Sequence, residues 1–152
     1  MAEKQYCTFY LGDALFGVDI LRVREINRHL EMTKVHKVAS HVRGLLNLRG
    51  QIVTVLDLGI RIGIGETKVK NESRSLILKS AFEAGVEGAS GSSTSNAVGL
   101  LVDKIGDVLK VDESAVESPP ANIGVIEGKY IDGVIKMDSD VLSILNIETV
   151  CG

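Results

Sequence analysis

Few residues in this chain have the types and spacing that catalysis or metal binding requires. The two thiols, Cys7 and Cys151, have no nearby base, and no Gly-x-Ser-x-Gly motif is present, so nucleophilic catalysis has no candidate residue. The three histidines are His29, His36 and His41, and the last two are five positions apart in a predicted loop, without Cys or a carboxylate at ligand spacing. We interpret them as solvated loop histidines and expect no metal site.

Aspartates offer a weaker indication of chemistry. Paired carboxylates can perform acid–base catalysis, and four aspartates lie near the ends of predicted strands: Asp19, Asp57, Asp103 and Asp107. Aspartates at such positions more often cap turns, because the carboxylate accepts hydrogen bonds from nearby backbone N–H groups. The glycines around Gly63 lack the basic residue and the helix of a phosphate-binding loop. We therefore predict no catalytic residue and no cofactor, and the alternative is a small enzyme with a buried carboxylate pair.

A binding surface remains, and its main candidate is Arg49-Gly50. These residues join two apolar runs, and the second run is rich in β-branched residues that favour strands. Gly50 can take a positive φ and Asn47 tolerates a turn, so residues 42–58 predict a β-hairpin with its tip at Arg49-Gly50. Arg49 then faces solvent or a partner, where arginine combines charge, planar hydrogen bonding and contact area. A solvated turn arginine is the alternative.

Glu25 is a second candidate, because it is a charge inside the apolar stretch Val23-Arg24-Glu25-Ile26. A charge in this setting either faces solvent or pairs across an interface. Val23 and Ile26 then belong either to the core, which is the default for apolar residues, or to an apolar groove that receives a partner.

Short strands separated by turns dominate the chain. Residues 20–27 predict one helical turn that leads into a strand, and 57–63 and 145–150 each predict a single helical turn. The other predicted strands are 6–11, 14–18, 75–79, 97–102, 106–111, 131–137 and 141–144, besides those of the 42–58 hairpin. Because long helical periodicity is absent, the pattern indicates an all-β barrel or sandwich. The Gly/Ser-rich stretch 83–96 predicts a flexible hairpin loop rather than a domain boundary.

Two pairs of segments resemble each other. Residues 132–147 align without a gap on residues 43–58, and residues 99–108 align on residues 17–26. Because the two elements occur in the same order with matched glycines and acids, we infer an internal duplication. The alternative is chance similarity between short apolar strands.

Length and composition are those of one small domain. The chain has 152 residues, of which 45% are hydrophobic, so there is enough apolar material for a core. Its net charge of −3 argues against binding to nucleic acid or to anionic lipid, which require a basic face. No apolar run reaches the ~18 residues of a membrane span, and the polar N-terminus lacks the apolar stretch of a signal peptide. We expect a cytosolic protein with a single domain, 5–150, and approximate repeated halves 5–65 and 74–150.

Three motifs resemble the CheW family, the scaffold proteins of bacterial chemotaxis arrays. The family's Phe-x-Leu-Gly is present at 9–12, and its Gly-Ile/Val-Asp-Ile-x-x-Val-x-Glu-Ile is present at 17–26. Its Val-x-Gly-x-x-Asn-Leu-Arg-Gly is present at 42–50 and is followed by Asp57-Leu58. Later pieces that also fit are 98–103, Pro119-Pro120 and 130–133, so the resemblance extends from about residue 5 to residue 150.

The resemblance implies two five-stranded SH3-like β-barrels packed on a shared apolar core, with short helical turns, no enzymatic activity and no cofactor. It implies an adaptor that couples chemoreceptors (methyl-accepting chemotaxis proteins) to the histidine kinase CheA by binding the kinase's regulatory domain and the receptors' cytoplasmic tips. Receptor tips are helical hairpins, which the family receives in a groove between the barrels. The kinase contact builds rings, with CheA or with the protein itself. The implied location is the cytoplasm, at membrane-associated receptor arrays and without membrane insertion.

The resemblance also implies the partner-binding residues, motif by motif. Val23, Glu25 and Ile26 lie on the family's Val-x-Glu-Ile motif. The others lie on the Asn-Leu-Arg-Gly motif and on the strand that lines the groove's second side: Asn47, Arg49, Gly50, Val98 and Val102.

The sequence departs from the family pattern at several positions. His36 and Ala39 replace prolines that usually precede the Arg-Gly hairpin, and Thr54 replaces a proline of the following strand. The connection should therefore be less rigid, because proline restricts φ. None of these positions carries the binding motifs, so the departures bear on which kinase or receptor class is the partner. The alternatives are a scaffold of a pilus or gliding chemosensory system, and a decoy that binds the kinase without coupling receptors.

Overall fold

The computed structural model describes residues 2–28, 31–36, 38–80 and 97–151. The predicted Gly/Ser-rich loop 83–96 lies outside the described residues, as does His29. The strands are β1 (Glu3–Leu11), β2 (Ala14–Asp19), β3 (Val23–Asn27), β4 (Val42–Leu48), β5 (Gln51–Asp57), β6 (Arg74–Leu78), β7 (Ala97–Val102), β8 (Lys104–Asp112), β9 (Asn122–Ile123), β10 (Ile126–Glu127), β11 (Ile131–Lys136) and β12 (Val141–Leu145). Two short helices follow hairpins, α1 (Leu58–Ile62) and α2 (Ile147–Cys151), and the 3₁₀ turns are Ile20–Arg22, Glu113–Ala115 and Gly128–Tyr130.

The predicted all-β class is confirmed, and so are the hairpins β1–β2, β4–β5 and β11–β12. Residues 20–27 form a helical turn followed by β3, and α1 ends at Gly63, whose φ of +95° is the left-handed conformation that glycine adopts readily. β1 begins earlier than predicted, because it pairs with β8 as far as Glu3 opposite Asp112. The hairpin of β9 and β10 was not predicted, because strands of two residues each carry no periodicity.

Ten of the strands form two five-stranded sheets. Sheet 1 has the order β11-β12-β2-β1-β8, and sheet 2 has the order β4-β5-β7-β6-β3. Read in this direction, each sheet begins with an edge hairpin and continues with a parallel pair, β12 with β2 in sheet 1 and β5 with β7 in sheet 2. The remaining pairs of both sheets are antiparallel. Each strand of one sheet therefore has a counterpart in the other.

Each sheet takes strands from both halves of the chain. Sheet 1 combines β1 and β2 with β8, β11 and β12, because the chain crosses to sheet 2 after β2 and returns after β7. The halves 5–65 and 74–150 are therefore not the two sheets. Counterpart strands nevertheless follow one another in the same order in the two halves, which supports the proposed duplication. The isolated bridges correspond as well, since Thr33 pairs with Leu45 on β4 and Glu117 pairs with Val134 on β11.

The two sheets pack on one shared apolar core. Its buried residues come from both sheets and both helices, and they include Phe9, Phe16, Val18, Leu58, Leu76, Leu100, Val102 and Val150. Each sheet also has a smaller apolar cluster, which contains Tyr6 and Leu142 in sheet 1 and Val53 and Leu101 in sheet 2. Because successive side chains of a strand point to opposite faces, a strand buried on both faces is apolar throughout. This explains why Ala97–Val102 shows no polar alternation.

The predicted architecture of two five-stranded units on a shared core agrees with the structure. Among the strand pairs of the described residues, none joins β11 to β8 or β4 to β3, so each sheet keeps two edges in its backbone ladder. Side chains, rather than backbone hydrogen bonds, connect the two edges of sheet 2.

Candidate protein-binding surface

The predicted hairpin tip is present at Arg49-Gly50, between β4 and β5. Both residues have positive φ, +51° for Arg49 and +85° for Gly50, as in a two-residue type I′ turn. This conformation is unfavourable for a residue with a long side chain, so surrounding contacts must stabilise it. Asn47 supplies one of them, because its Oδ1 accepts a hydrogen bond from the Gly50 N–H at 3.1 Å.

Arg49 reaches across the sheet to Glu25 on β3. Its Nη2 donates to Oε1 of Glu25 at 2.7 Å and to Oε2 at 2.9 Å. The Arg49 side chain is 71% exposed and that of Glu25 is 26% exposed, so the guanidinium stays accessible while the carboxylate is partly covered. Because β3 and β4 are opposite edges of sheet 2, this ion pair joins the two edges through side chains. Both predicted binding charges therefore pair with each other.

A β-bulge on β3 separates the charges from the apolar residues. The register against β6 shifts between Val23 and Glu25, which places Val23 opposite Leu78 and Ile26 opposite Leu76. Leu76 and Leu78 belong to the shared core, and directly opposed residues lie on the same sheet face. Val23 and Ile26 therefore share that face, with Val23 half-buried and Ile26 43% exposed at the rim.

An apolar row crosses the same face of sheet 2. Leu45, Thr54 and Val98 lie side by side on β4, β5 and β7, and each is partly exposed. Val23 and Ile26 lie on the same sheet face, and we call these five residues, each at least partly exposed, the open face. It lies at the margin of the shared core, since Val23 and Val98 pack against that core.

The counterpart row of sheet 1 is covered. Val134, Ser143 and Phe16 lie side by side on β11, β12 and β2, and they are 8%, 5% and 1% exposed. Because the two sheets have the same strand order, the fold itself does not require the row to be exposed. The row is partly exposed in sheet 2 and buried in sheet 1, and an exposed apolar patch is suited to a protein partner.

One predicted binding residue is not at the surface. Val102 is fully buried, with 0% of its surface exposed, and belongs to the shared core together with Leu100. The prediction that Val102 binds a partner is wrong for this reason. β7 runs from the open face at Val98 into the interior between the sheets, so only its first part is accessible.

Three of the four aspartates near strand ends cap turns, which was the commoner of the two interpretations. Each of the three accepts a hydrogen bond from a backbone N–H: Leu21 to Asp19 at 3.0 Å, Gly12 to Asp103 at 2.6 Å and Ile60 to Asp57 at 3.3 Å. Asp107 accepts a hydrogen bond from the Thr8 hydroxyl through its backbone carbonyl. Within the described part of the chain, no group of three or more His, Cys, Asp or Glu residues is arranged to hold a metal ion. None of the helices found there has the length and apolar character to cross a membrane.

Asp57 is a fully buried carboxylate with a structural role. Arg43 Nη1 donates to its Oδ2 at 3.1 Å, and the Thr67 N–H donates to the same oxygen at 2.9 Å. In the internal alignment Arg43 and Asp57 correspond to Asp132 and Asn146, and Asn146 Nδ2 donates to Asp132 Oδ1 at 2.8 Å. The same two positions are joined in both sheets with donor and acceptor exchanged, so the contact stabilises each unit.

The sequence interpretation missed four residues of this surface. Leu45 and Thr54 on the open face could have been found from the hairpin, because a two-residue turn at Arg49-Gly50 places them directly opposite each other. Arg24 and Gln51 also join the sheet edges, since Arg24 Nη1 donates to Gln51 Oε1 at 2.6 Å. No sequence pattern indicates this contact, because it depends on the curvature of the whole sheet.

Comparison with known proteins gives one consistent family. A family model described as a CheW-like domain matches residues 5–151. The chain is 30% identical over 145 residues to chemotaxis protein CheW of Treponema pallidum (strain Nichols), which covers 95% of this chain and 80% of that protein. It is 23% identical over 146 residues to Protein FrzA of Myxococcus xanthus, covering 95% of this chain and 82% of that protein. The crystal structure of scaffolding protein TtCheW from Thermoanaerobacter tengcongensis superposes with a TM-score of 0.82 and 28% identity, covering 99% of this chain and 88% of that one.

Proposed function

This chain belongs to the CheW-like family of non-catalytic chemotaxis scaffold proteins, and from this membership we propose that it is the adaptor that couples chemoreceptors to the histidine kinase CheA. The observation that carries the proposal is the family match over residues 5–151. In this proposal the chain catalyses no reaction, and its role is to bind the kinase and the receptor in a fixed arrangement.

The proposed kinase contact is the Arg49-Gly50 tip. Arg49 is anchored by Glu25 and remains 71% exposed, so its guanidinium has donors available for a carboxylate of the kinase's regulatory domain. Gly50 has no atom within 4 Å of the position a Cβ would take, so a partner backbone can approach it closely. In this proposal Asn47 stabilises the turn, by accepting the hydrogen bond from the Gly50 N–H, and does not itself contact the kinase.

The proposed receptor contact is the open face. Its row of Leu45, Thr54 and Val98, flanked by Val23 and Ile26, offers an apolar strip beside the shared core. A receptor tip is a helical hairpin, and an amphipathic helix binds by laying its apolar side into such a strip. Because this strip and the Arg49 tip belong to the same sheet, one chain can contact kinase and receptor together.

Ring assembly follows as part of the same proposal. A contact made by the Arg49 end with the next molecule is heterologous, and repeated heterologous contacts close into rings when the rotation allows it. The neighbour in such a ring is CheA or a second copy of this chain. We place these rings in the cytoplasm, at the receptor arrays of the membrane.

A second candidate follows from one relative that is named Protein FrzA rather than chemotaxis protein CheW. The chain is then the scaffold of another chemosensory system, such as one that controls pili or gliding, with the same surfaces and different partners. A decoy that binds the kinase without coupling receptors differs in its open face, which would then bind no receptor tip.

Calorimetric titration with the regulatory domain of a CheA kinase from the same organism tests the proposal. We expect saturable binding that Arg49→Glu weakens at least about tenfold, which corresponds to about 1.4 kcal/mol. Lys129→Glu is the matched control, because Lys129 is an exposed cation paired with Glu127 away from the tip. The double variant Glu25→Arg with Arg49→Glu keeps the ion pair but reverses its polarity.

The double variant separates two roles of Arg49. If the reversed pair stays as weak as Arg49→Glu, the guanidinium itself meets the kinase. If it restores affinity, Arg49 serves only to join the edges of sheet 2, and the kinase contact lies elsewhere. Absence of binding by the unmodified chain would contradict the CheA assignment and favour a different chemosensory kinase.

A further inference from the structure

Among the described residues, a second side-chain contact joins the edges of sheet 2. Besides the Arg49–Glu25 pair at 2.7 Å, Arg24 Nη1 donates to Gln51 Oε1 at 2.6 Å. In both contacts one residue lies on β3 and the other lies at the hairpin between β4 and β5. We call these two contacts the latch. The function proposed above uses the Arg49–Glu25 pair and leaves Arg24 and Gln51 without a role.

The bulge of β3 connects the latch to the open face. Arg24 and Glu25 are the two residues at which the register shifts, and both reach the hairpin. Val23 and Ile26, on either side, belong to the open face. Because all four residues lie within one five-residue edge strand, a movement of the bulge displaces the latch and the edge of the open face together.

Sheet 1 has the corresponding bulge without a latch. Its β8 shows a register shift against β1, between Cys7 and Phe9. In the internal alignment the latch residues Arg24, Glu25, Arg49 and Gln51 correspond to Gly106, Asp107, Asp138 and Asp140. None of these four counterparts is a cation, so neither contact can form.

The bulge of sheet 1 is instead supported from inside. The Thr8 hydroxyl donates a hydrogen bond to the backbone carbonyl of Asp107, and Thr8 is 2% exposed. A Cβ at Gly106 would lie 2.6 Å from Thr8 Oγ1, so an arginine at this position is excluded. The same strand distortion is thus stabilised by a buried hydroxyl in sheet 1 and by surface side chains in sheet 2.

We propose that Arg24 and Gln51 are a positioning pair, which holds the β3 bulge and the Arg49 tip at the spacing that partner binding requires. Gln51 is exposed, and a single contact at a surface is weak, so we infer that the Arg24–Gln51 contact adds to the Arg49–Glu25 pair in holding the bulge. The binding part of this inference rests on the proposed function, whereas the effect on the bulge does not.

Gln51→Ala removes the contact and changes nothing else on β3. We expect the backbone amides of residues 23–27 and 47–52 to exchange hydrogen at least about fivefold faster, because local opening becomes easier, while the global unfolding midpoint stays within about 2 °C. Affinity for the CheA regulatory domain should fall about threefold or more. Gln51→Glu keeps an acceptor for Arg24 and should restore both measurements, and Gln5→Ala, at an exposed position of β1, is the matched control.

Three results would overturn the positioning role. These are unchanged exchange in Gln51→Ala, equal acceleration in Gln5→Ala, and a Gln51→Glu variant that behaves like Gln51→Ala. If the unmodified chain does not bind the kinase, the proposed function fails, but the exchange comparison still decides whether Arg24 and Gln51 hold the bulge.

Discussion

Arg43→Met isolates the ion pair that supports the interior of sheet 2. The change removes the guanidinium that donates to Asp57 at 3.1 Å and to the Thr67 carbonyl at 2.8 Å. It leaves a carboxylate with no solvent exposure, because the Asp57 side chain is 0% exposed. Methionine fills a similar volume, so the variant tests charge rather than packing.

The loss of unfolding free energy depends on how many hydrogen bonds the Asp57 carboxylate keeps in the variant. Removing one partner of a buried ion pair costs about 3–5 kcal/mol. Asp57 keeps two backbone donors, Ile60 and Thr67, and the Arg43 side chain is itself 26% exposed, which places the expected loss near the lower limit, about 3 kcal/mol. For a chain of this length the unfolding midpoint should fall by about 6–12 °C.

The other sheet suggests how to rescue this variant. At the counterpart position Asn146 Oδ1 accepts a hydrogen bond from the Thr149 N–H at 3.0 Å, so an asparagine can cap the helix without carrying a charge. Adding Asp57→Asn to Arg43→Met should therefore recover about 1 kcal/mol, because the unpaired buried charge disappears while the amide, with one acceptor oxygen, keeps only one of the hydrogen bonds from the Ile60 and Thr67 N–H groups. Urea unfolding followed by circular dichroism measures all three variants. A loss below about 1 kcal/mol for Arg43→Met, or a second loss instead of a recovery in the double variant, would refute the reasoning.

Three further predictions concern a glycine, a histidine and the open face. Gly59→Ala should destabilise the chain by about 2 kcal/mol or more, measured by urea unfolding, because its Cβ would lie 2.2 Å from the carbonyl oxygen of Gly65. Burial lowers the pKa of His41, so the unfolded chain takes up the proton more readily; stability should fall as the pH falls through the ordinary value near 6.5, and the unfolding midpoint of His41→Gln should lose this part of the pH dependence. Thr54→Lys should weaken binding of a receptor-tip hairpin about tenfold in a calorimetric titration, whereas Val125→Lys, at a side chain that is 72% exposed and outside the open face, should leave it unchanged.

The features that could be predicted from the sequence depend on a few adjacent residues. The hairpin tip follows from Arg49-Gly50 between two apolar runs, and the end of α1 follows from Gly63. The turn-capping role of Asp57 follows in the same way from its place between a strand and a helical turn. In each case the backbone conformation is determined within one turn of chain, so neighbouring residues contain the information.

The features that could not be predicted depend on how distant strands meet. Glu25 and Arg49 were both identified, but their pairing requires the two edges of sheet 2 to approach each other. Val102 was misplaced for a related reason, because a strand that is apolar throughout does not reveal which end is covered by the other sheet. Local sequence patterns do not show that the two halves exchange strands. The residue pattern of a strand is the same whichever of the two sheets the strand joins.

Comparison of the two sheets also bears on why Arg49 adopts a positive φ. Among the residues that the structure describes, Arg49 is the non-glycine residue with this conformation, at +51°. The counterpart connection of sheet 1 reverses the chain through the Met137 N–H, which donates to the Asp140 carbonyl at 2.8 Å, without such a residue. The fold therefore tolerates a relaxed turn at this place, while the strained one costs on the order of 1 kcal/mol. The partner contact proposed for Arg49 would account for a strained, exposed residue that the architecture does not need.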